Sequence, residues 1–204
     1  MKFVATIEEL REGYGAPHDL ALRKELRALD LHARNFIANS PFVLIGSSDG
    51  KGHADVTPKG DRPGFVAMLD DRTLAIPDRP GNNRLDTLEN VVANPEVGLL
   101  FLIPGMNETL RINGTARVTF DEALRAQLAV EGRIPLAVMV VGINAVYMHC
   151  AKAFLRSGLW NPEGWQPRDA MPTLGEILKD QLSLPVSADE TDRNLDESYS
   201  RSMW

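Results

Sequence analysis

The chain has a single cysteine, Cys150, in 204 residues, so no intrachain disulfide can form. That excludes a disulfide-stapled secreted scaffold and fits a reducing, cytoplasmic setting. Long apolar runs are missing as well. Glu8 and Glu9 break the N-terminal stretch, and nowhere do the ~18 consecutive apolar residues of a membrane span occur. Neither a signal peptide nor a membrane partner is expected. A basic excess is also lacking: 22 Lys and Arg face 28 Asp and Glu, giving a net charge of −6. Nucleic-acid binding, which needs a broad basic face, is therefore not expected. The 4 histidines, His18, His32, His53 and His149, are scattered without metal-ligand spacing, so no metal site is expected. What remains is ordinary for a globular protein with a sizeable core: 44% apolar and 25% charged residues.

Periodicity divides the chain. Residues 1–40 read as a helical segment, with Leu20, Leu22, Leu26, Leu29, Leu31, Phe36 and Ile37 at a rough 3.6 spacing between His18 and Asn39. Ser40-Pro41 stops it, because the residue before proline is driven out of the α region. Residues 41–165 are strand-dominated. Phe42 to Gly46 and His53 to Thr57 form a hairpin around a Ser/Asp/Gly turn, and Gly64 to Leu69 and Thr73 to Ile76 form another. A helix is predicted from Asn83 to Ala93, capped by Asn82 or Asn83 and stopped by Asn94-Pro95. Val97 to Ile103 is an apolar strand. Thr109 to Phe120 alternates, which predicts one buried face carrying Leu110, Ile112, Ala116, Val118 and Phe120. A short helix from Asp121 and a long strand, Ala137 to Cys150 with a kink at Gly142, follow. Residues 166–204 make a C-terminal helix and tail, polar and acidic from Ser187, expected to pack on the barrel or on a partner subunit. Hairpin spacing with one intervening helix points to an antiparallel barrel or sandwich rather than βαβ units.

Two catalytic-looking features have plainer readings. Gly46-Ser47-Ser48-Asp49-Gly50 fits the G-x-S-x-G nucleophile elbow, but that motif leads into a helix and this one leads into a strand. Cys150 ends an apolar strand beside His149, and neighbouring strand side chains point to opposite faces. It is expected to be a buried structural thiol.

The chemistry concentrates elsewhere. Val56-Thr57-Pro58-Lys59-Gly60-Asp61 is followed by Ile76-Pro77-Asp78-Arg79-Pro80-Gly81-Asn82-Asn83-Arg84-Leu85. Lys59, Arg79 and Arg84 could be solvated charges balancing Asp61, Asp70, Asp71 and Asp78. Their placement favours a small anion instead: one group lies at a strand exit, the other at a helix start, where backbone N–H groups lack partners and the helix dipole is positive. Trp160 and Trp165 sit in a Gly/Pro-punctuated loop. Tryptophans there either cover a core edge or flank a flat aromatic ligand, and both readings stand.

With these residues in view, the chain resembles the pyridoxamine 5′-phosphate oxidase-like FMN-binding split barrels over roughly residues 30 to 165. The resemblance is carried by Ile76 to Leu85, then Asn94-Pro95-Glu96-Val97-Gly98-Leu99-Leu100-Phe101, then Leu110-Arg111-Ile112-Asn113-Gly114-Thr115-Ala116, in that order and spacing. It implies a mainly β fold with peripheral helices: a six-stranded antiparallel Greek-key split barrel, forming a homodimer with FMN at the subunit interface. By the resemblance, Lys59 and Arg84 grip the FMN phosphate, while Val56, Thr57, Pro58, Ile76, Pro77 and Asp78 run along the ribityl chain and ring. Arg79, Asn82, Asn83 and Leu85 complete the phosphate loop. Thr109 and Arg111 stand where the family's strand reaches the ring system, and Lys152, Arg156 and Trp160 come from the partner subunit. No catalytic residue is implied. The expected activity is an FMN-dependent oxidation or reduction of an undefined small molecule. A flavin- or haem-binding carrier or sensor without turnover is the alternative. Oxidation of pyridoxamine phosphate itself is disfavoured, because the family's substrate-binding Arg-x-His has no counterpart between Asn161 and Trp204.

Overall fold

The protein is described here by a computed structural model covering residues 1–203. Helices α1 (Ile7–Tyr14), α2 (Asp19–Arg23) and α3 (Leu31–Asn39) lead into strands β1 (Phe42–Ser48), β2 (Ala54–Gly60), β3 (Ala67–Met68) and β4 (Thr73–Asp78). Then come α4 (Asp86–Ala93), β5 (Glu96–Leu102), β6 (Thr109–Thr119), α5 (Glu122–Gln127) and β7 (Ala137–His149). After these follow α6 (Lys152–Ser157), two short 3-10 turns, α7 (Leu174–Leu182) and α8 (Ala188–Ser202).

The strands form one antiparallel sheet of 7 in the order β2-β1-β5-β6-β7-β4-β3. The mainly β architecture agrees with the expectation, but the sheet has seven strands rather than six and its edges are not joined into a closed barrel. The shortest strand is β3, only 2 residues long where a strand from Gly64 to Leu69 was expected, paired to β4 through Ala67 and Met68. The sheet nevertheless curls on itself. Val43 of β1, Ile76 of β4, Phe101 of β5, Ile112 of β6 and Val141 of β7 all belong to one buried cluster. A flat sheet could not bring strands so far apart in order into one core.

Alternation builds the core as the sequence suggests. In β6, Leu110, Ile112 and Ala116 are buried while Arg111 is exposed. Phe120, expected on that buried face, is 71% exposed because β6 ends at Thr119 and the chain turns into the Asp121-capped α5. The long β7 does bend, two residues beyond the expected kink. Asn113 pairs Ala145 and Gly114 pairs Ile143, which leaves Asn144 as a one-residue bulge.

Two other expectations change. The segment from His18 to Asn39 is two helices, not one. Between them Leu26 exchanges two 2.9 Å backbone hydrogen bonds with Val146, adding an isolated bridge to β7, and Asp30 then caps α3. Leu20 and Leu22 are exposed, and α1 and α2 bury none of their residues. Cys150 is exposed rather than buried, since β7 ends at His149 and the cysteine stands on the turn into α6. The acidic segment from Ser187 forms α8, which packs against α7, and Gly175 is needed at their contact because a Cβ there would meet the Ala188 carbonyl oxygen at 2.5 Å.

Candidate functional site

The loop after β4 is where the backbone is least regular. Asn83 (φ 58°) and Leu85 (φ 62°) both take the left-handed conformation on either side of Arg84. A bulky residue such as leucine adopts it only at a cost, and such positions cluster at ligand sites. The helix expected from Asn83 therefore starts later, at Asp86, with Leu85 as its N-cap and no side chain capping its first turn. The first turn of α4, Asp86, Thr87 and Leu88, lines a cavity of about 270 Å³ at the rim of the curled sheet, and a helix start leaves its first N–H groups without intrahelical partners.

Two strands and the loop build that rim cavity. On β2, alternation brings Asp55, Thr57 and Lys59 to one face, register partners of the buried Ser47, Ile45 and Val43. From β4 and its loop come Asp78, Arg79, Asn82, Asn83, Arg84 and Leu85. Eight of the residues named from sequence thus line one cavity. Asp55, Gly81, Asp86, Thr87 and Leu88 line it too and were not foreseen. Asp55 was legible, because it lies two and four residues before Thr57 and Lys59 on the same strand.

The cations of the cavity differ in how firmly they are tied. Lys59 Nζ donates to Asp78 Oδ1 at 2.7 Å, with both side chains mostly buried. Arg79 donates from Nε to Asp61 Oδ2 at 2.8 Å and from Nη1 to the Leu128 carbonyl at 3.0 Å. It braces the fold. Arg84 pairs with Asp86 at 2.5 Å, but its side chain is 77% exposed, so this is a surface pair that exchanges readily. Thr87 Oγ1 donates to Asp55 at 2.9 Å, fixing α4 to β2.

The other residues named from sequence lie elsewhere. Ile76 and Pro77 are buried within β4, and Pro58 is exposed on the opposite face of β2. Val56 shares that opposite, outer face and borders a second cavity of about 390 Å³ together with Thr109 and Arg111. Lys152 and Arg156 are exposed on α6. Trp160 stacks behind Phe154 at 5.8 Å and donates its indole N–H to the Met106 carbonyl at 2.7 Å. It is Phe154, not Trp160, that lines the outer cavity. The two cavities stand on opposite faces of the edge strand β2, so in one chain the phosphate-loop residues and the residues assigned to the ring do not form one pocket.

No helix among the described residues is long and apolar enough to cross a membrane. Among curated proteins, none matches the sequence. Solved structures do. HupZ of Group A Streptococcus is 18% identical, with 59% of this chain and 93% of that chain aligned at a TM-score of 0.50. A single-site variant of HupZ aligns at the same identity and TM-score over 98% of its length. A pyridoxamine 5′-phosphate oxidase-type protein of Lactobacillus delbrueckii is 23% identical over 61% of this chain and 98% of its own, at a TM-score of 0.49. At these identities the HupZ likeness speaks for the fold. The sequence profile of pyridoxamine 5′-phosphate oxidase matches residues 29–150, which span β1 to β7, the whole rim cavity and the outer cavity apart from Ala153 and Phe154, and the chain belongs to that family.

Proposed function

We propose that this protein binds FMN, with its phosphate in the rim cavity, and acts as an FMN-dependent oxidoreductase on a small molecule. The observation that carries the reading is the meeting of Lys59, Arg84 and the uncapped first turn of α4 around one cavity. Family membership supports it independently. Bound FMN would supply hydride or electron transfer, and the protein supplies placement and electrostatics.

The residues divide that work. The α4 N-terminus offers backbone donors that need no rearrangement. Arg84 leaves Asp86 for the phosphate, a favourable exchange: an exposed ion pair is worth about 0–1 kcal/mol and a charge-assisted phosphate contact about 1.5–3 kcal/mol. Lys59 remains against Asp78 and adds a second cation at the cavity wall. Asn82 holds the loop by accepting from the Arg84 backbone N–H at 3.1 Å. The residues assigned to the flavin ring, Thr109 and Arg111, with Lys152 and Arg156 on α6, lie on the outer face. They reach a flavin held in the rim cavity only from a second copy of the chain, so the reading includes a homodimer.

The test compares FMN with riboflavin, which lacks the phosphate. FMN should bind to give absorbance near ~450 nm, a property of the flavin. Arg84→Ala should weaken FMN about ten- to a hundredfold and leave riboflavin unchanged. Equal affinity of the native protein for the two flavins would overturn the placement. Light scattering that finds a monomer binding FMN at full affinity would overturn the dimer.

A further inference from the structure

The phosphate loop has a second and larger cavity beside it. Arg79, Gly81 and Asn82 line the rim cavity and also line a space of about 870 Å³, bounded across from them by α8. Gly81 has no positive φ, and a Cβ there would meet nothing within 4 Å. The fold does not require glycine at this position. Its bare backbone keeps the boundary between the two cavities open. Asn82 accepts from the Arg84 backbone N–H through Oδ1, and its amide nitrogen makes no hydrogen bond among the described residues.

The opposite wall is the polar helix α8. Past Ala188 its only apolar side chains are Leu195 and Tyr199, spaced i, i+4 on one face, and both line the cavity. Met203, the C-cap, continues the same row. These side chains are not used to dock the helix on the sheet. Thr191 is the one residue that α8 buries, whereas Tyr199 stays 46% exposed and Met203 74%. An aromatic ring thus stands across a roomy gap from Pro80 and Gly81, next to the place where a phosphate would be held.

We propose that this tail cavity receives the adenylyl half of FAD. The FMN half sits as described above, with its phosphate at the loop. The adenosine joined to that phosphate lies between the Pro80–Gly81 wall and the Tyr199 ring, and the Asn82 amide nitrogen donates to the second phosphate. Charge permits the extension: a phosphate monoester carries about −1.5 to −2 near neutral pH, and a pyrophosphate diester carries about −2. The same cations therefore serve both ligands. A space of about 870 Å³ holds a purine nucleoside with room to spare. The inference rests on the flavin reading for the position of the phosphate and extends the ligand from FMN to FAD.

The test is titration calorimetry of the full-length, flavin-free protein with FAD, FMN and riboflavin. FAD should bind at least about tenfold more tightly than FMN, the gain expected of one base stacked on an aromatic side chain. Tyr199→Ala should remove most of that margin while leaving FMN affinity and the melting temperature unchanged. Ser198→Trp, which puts an indole into the cavity, should do the same. If that variant disturbs α8, Tyr199→Ala still decides. FAD binding no more tightly than FMN, while FMN still exceeds riboflavin, would overturn the inference and leave the phosphate reading intact. Equal weakening of FMN and FAD by Tyr199→Ala would also overturn it, making Tyr199 a brace of the loop. So would 5′-AMP binding alongside FMN in a Tyr199-dependent way, which would give the cavity to a separate nucleotide. Failure of the flavin reading looks different: FMN then binds no better than riboflavin, and the adenylyl inference falls with it.

Discussion

Lys59 and Asp78 meet at 2.7 Å although their strands, β2 and β4, are separated in the sheet order by β1, β5, β6 and β7. The contact joins two parts of the sheet that hydrogen bonding leaves apart. Just past the ends of both strands, Arg79 and Asp61 repeat it at 2.8 Å. Together the pairs act as a clasp that holds the curl of the sheet, and the rim cavity opens beside them.

Breaking the clasp at Lys59 should therefore cost stability as well as binding. Lys59→Met leaves the Asp78 carboxylate, 15% exposed, without its cation. The expected loss is about 1.5–3 kcal/mol in urea denaturation. Adding Asp78→Asn to that variant should restore part of it, because the stranded charge is removed. Asp78→Asn alone should leave FMN affinity unchanged or higher, since Lys59 is then free for the phosphate. Double-variant stability equal to the sum of the singles would show that the two side chains act independently.

Strand positions were legible in the sequence because β6 alternates and β1 and β5 are short apolar runs bounded by turn residues, and the anion cluster was legible because cations, asparagines and glycine gather around strand and helix ends. The closing contacts were not. No periodicity tells that Lys59 will find Asp78, nor that Arg79 will be spent on Asp61, because those pairs depend on how far the sheet curls. The helical period from His18 to Asn39 misled for a related reason: the Leu26 backbone gains two hydrogen bonds from Val146, a tertiary gain that local propensity cannot register. The division of site residues between two faces was within reach. Thr57 and Lys59 must face away from Val56 and Pro58 on any strand.

The crossing of β6 and β7 predicts opposite outcomes for two glycines. A Cβ on Gly114 would meet the Gly142 carbonyl oxygen at 2.2 Å, and backbone on backbone cannot yield without shifting a strand. Gly114→Ala should destabilise by about 3 kcal/mol, the upper end for overpacking. At Gly142 a Cβ meets Thr115 Oγ1 at 3.6 Å, an ordinary contact. Gly142→Ala should be within about 1 kcal/mol of neutral, helped by the lower backbone entropy of the unfolded chain. Thermal melts of the two variants give the comparison directly. Equal effects would mean that the strands do not approach as closely as described.

Trp160 ties the α6 region to the β5–β6 turn through its stack on Phe154 and its hydrogen bond to Met106. Trp160→Leu forfeits both, at about 0.5–1.5 kcal/mol for the aromatic pair and about 1 kcal/mol for the hydrogen bond. A fall of several degrees in melting temperature is expected. FMN affinity should change by no more than about twofold, because the indole backs the cavity wall instead of forming it. Unchanged stability with FMN affinity strongly reduced and flavin fluorescence raised would place the indole on the flavin.

The β1–β2 turn carries a pH-dependent clasp of its own. Asp49 accepts from the Lys51 and His53 backbone N–H groups, and its Oδ2 lies 2.6 Å from His53 Nδ1. The hydrogen bond to His53 first, and then that from Lys51, lower the Asp49 pKa to about 2. The same hydrogen bond, followed by the charge of Asp49, raises the His53 pKa. The signs set the working window. The raised histidine contributes fully below its unfolded value near ~6.5, and its contribution is lost as pH rises through the higher folded value. The depressed aspartate contributes above its unfolded value near ~3.9 and is lost as pH falls toward the folded one. The turn is therefore held most firmly between about pH 4 and 6.5. An NMR titration should find the His53 imidazole titrating above ~6.5, and Asp49→Asn should bring it back toward that value. A His53 pKa that does not respond to Asp49→Asn would mean that solvent screening at this exposed turn cancels the pair.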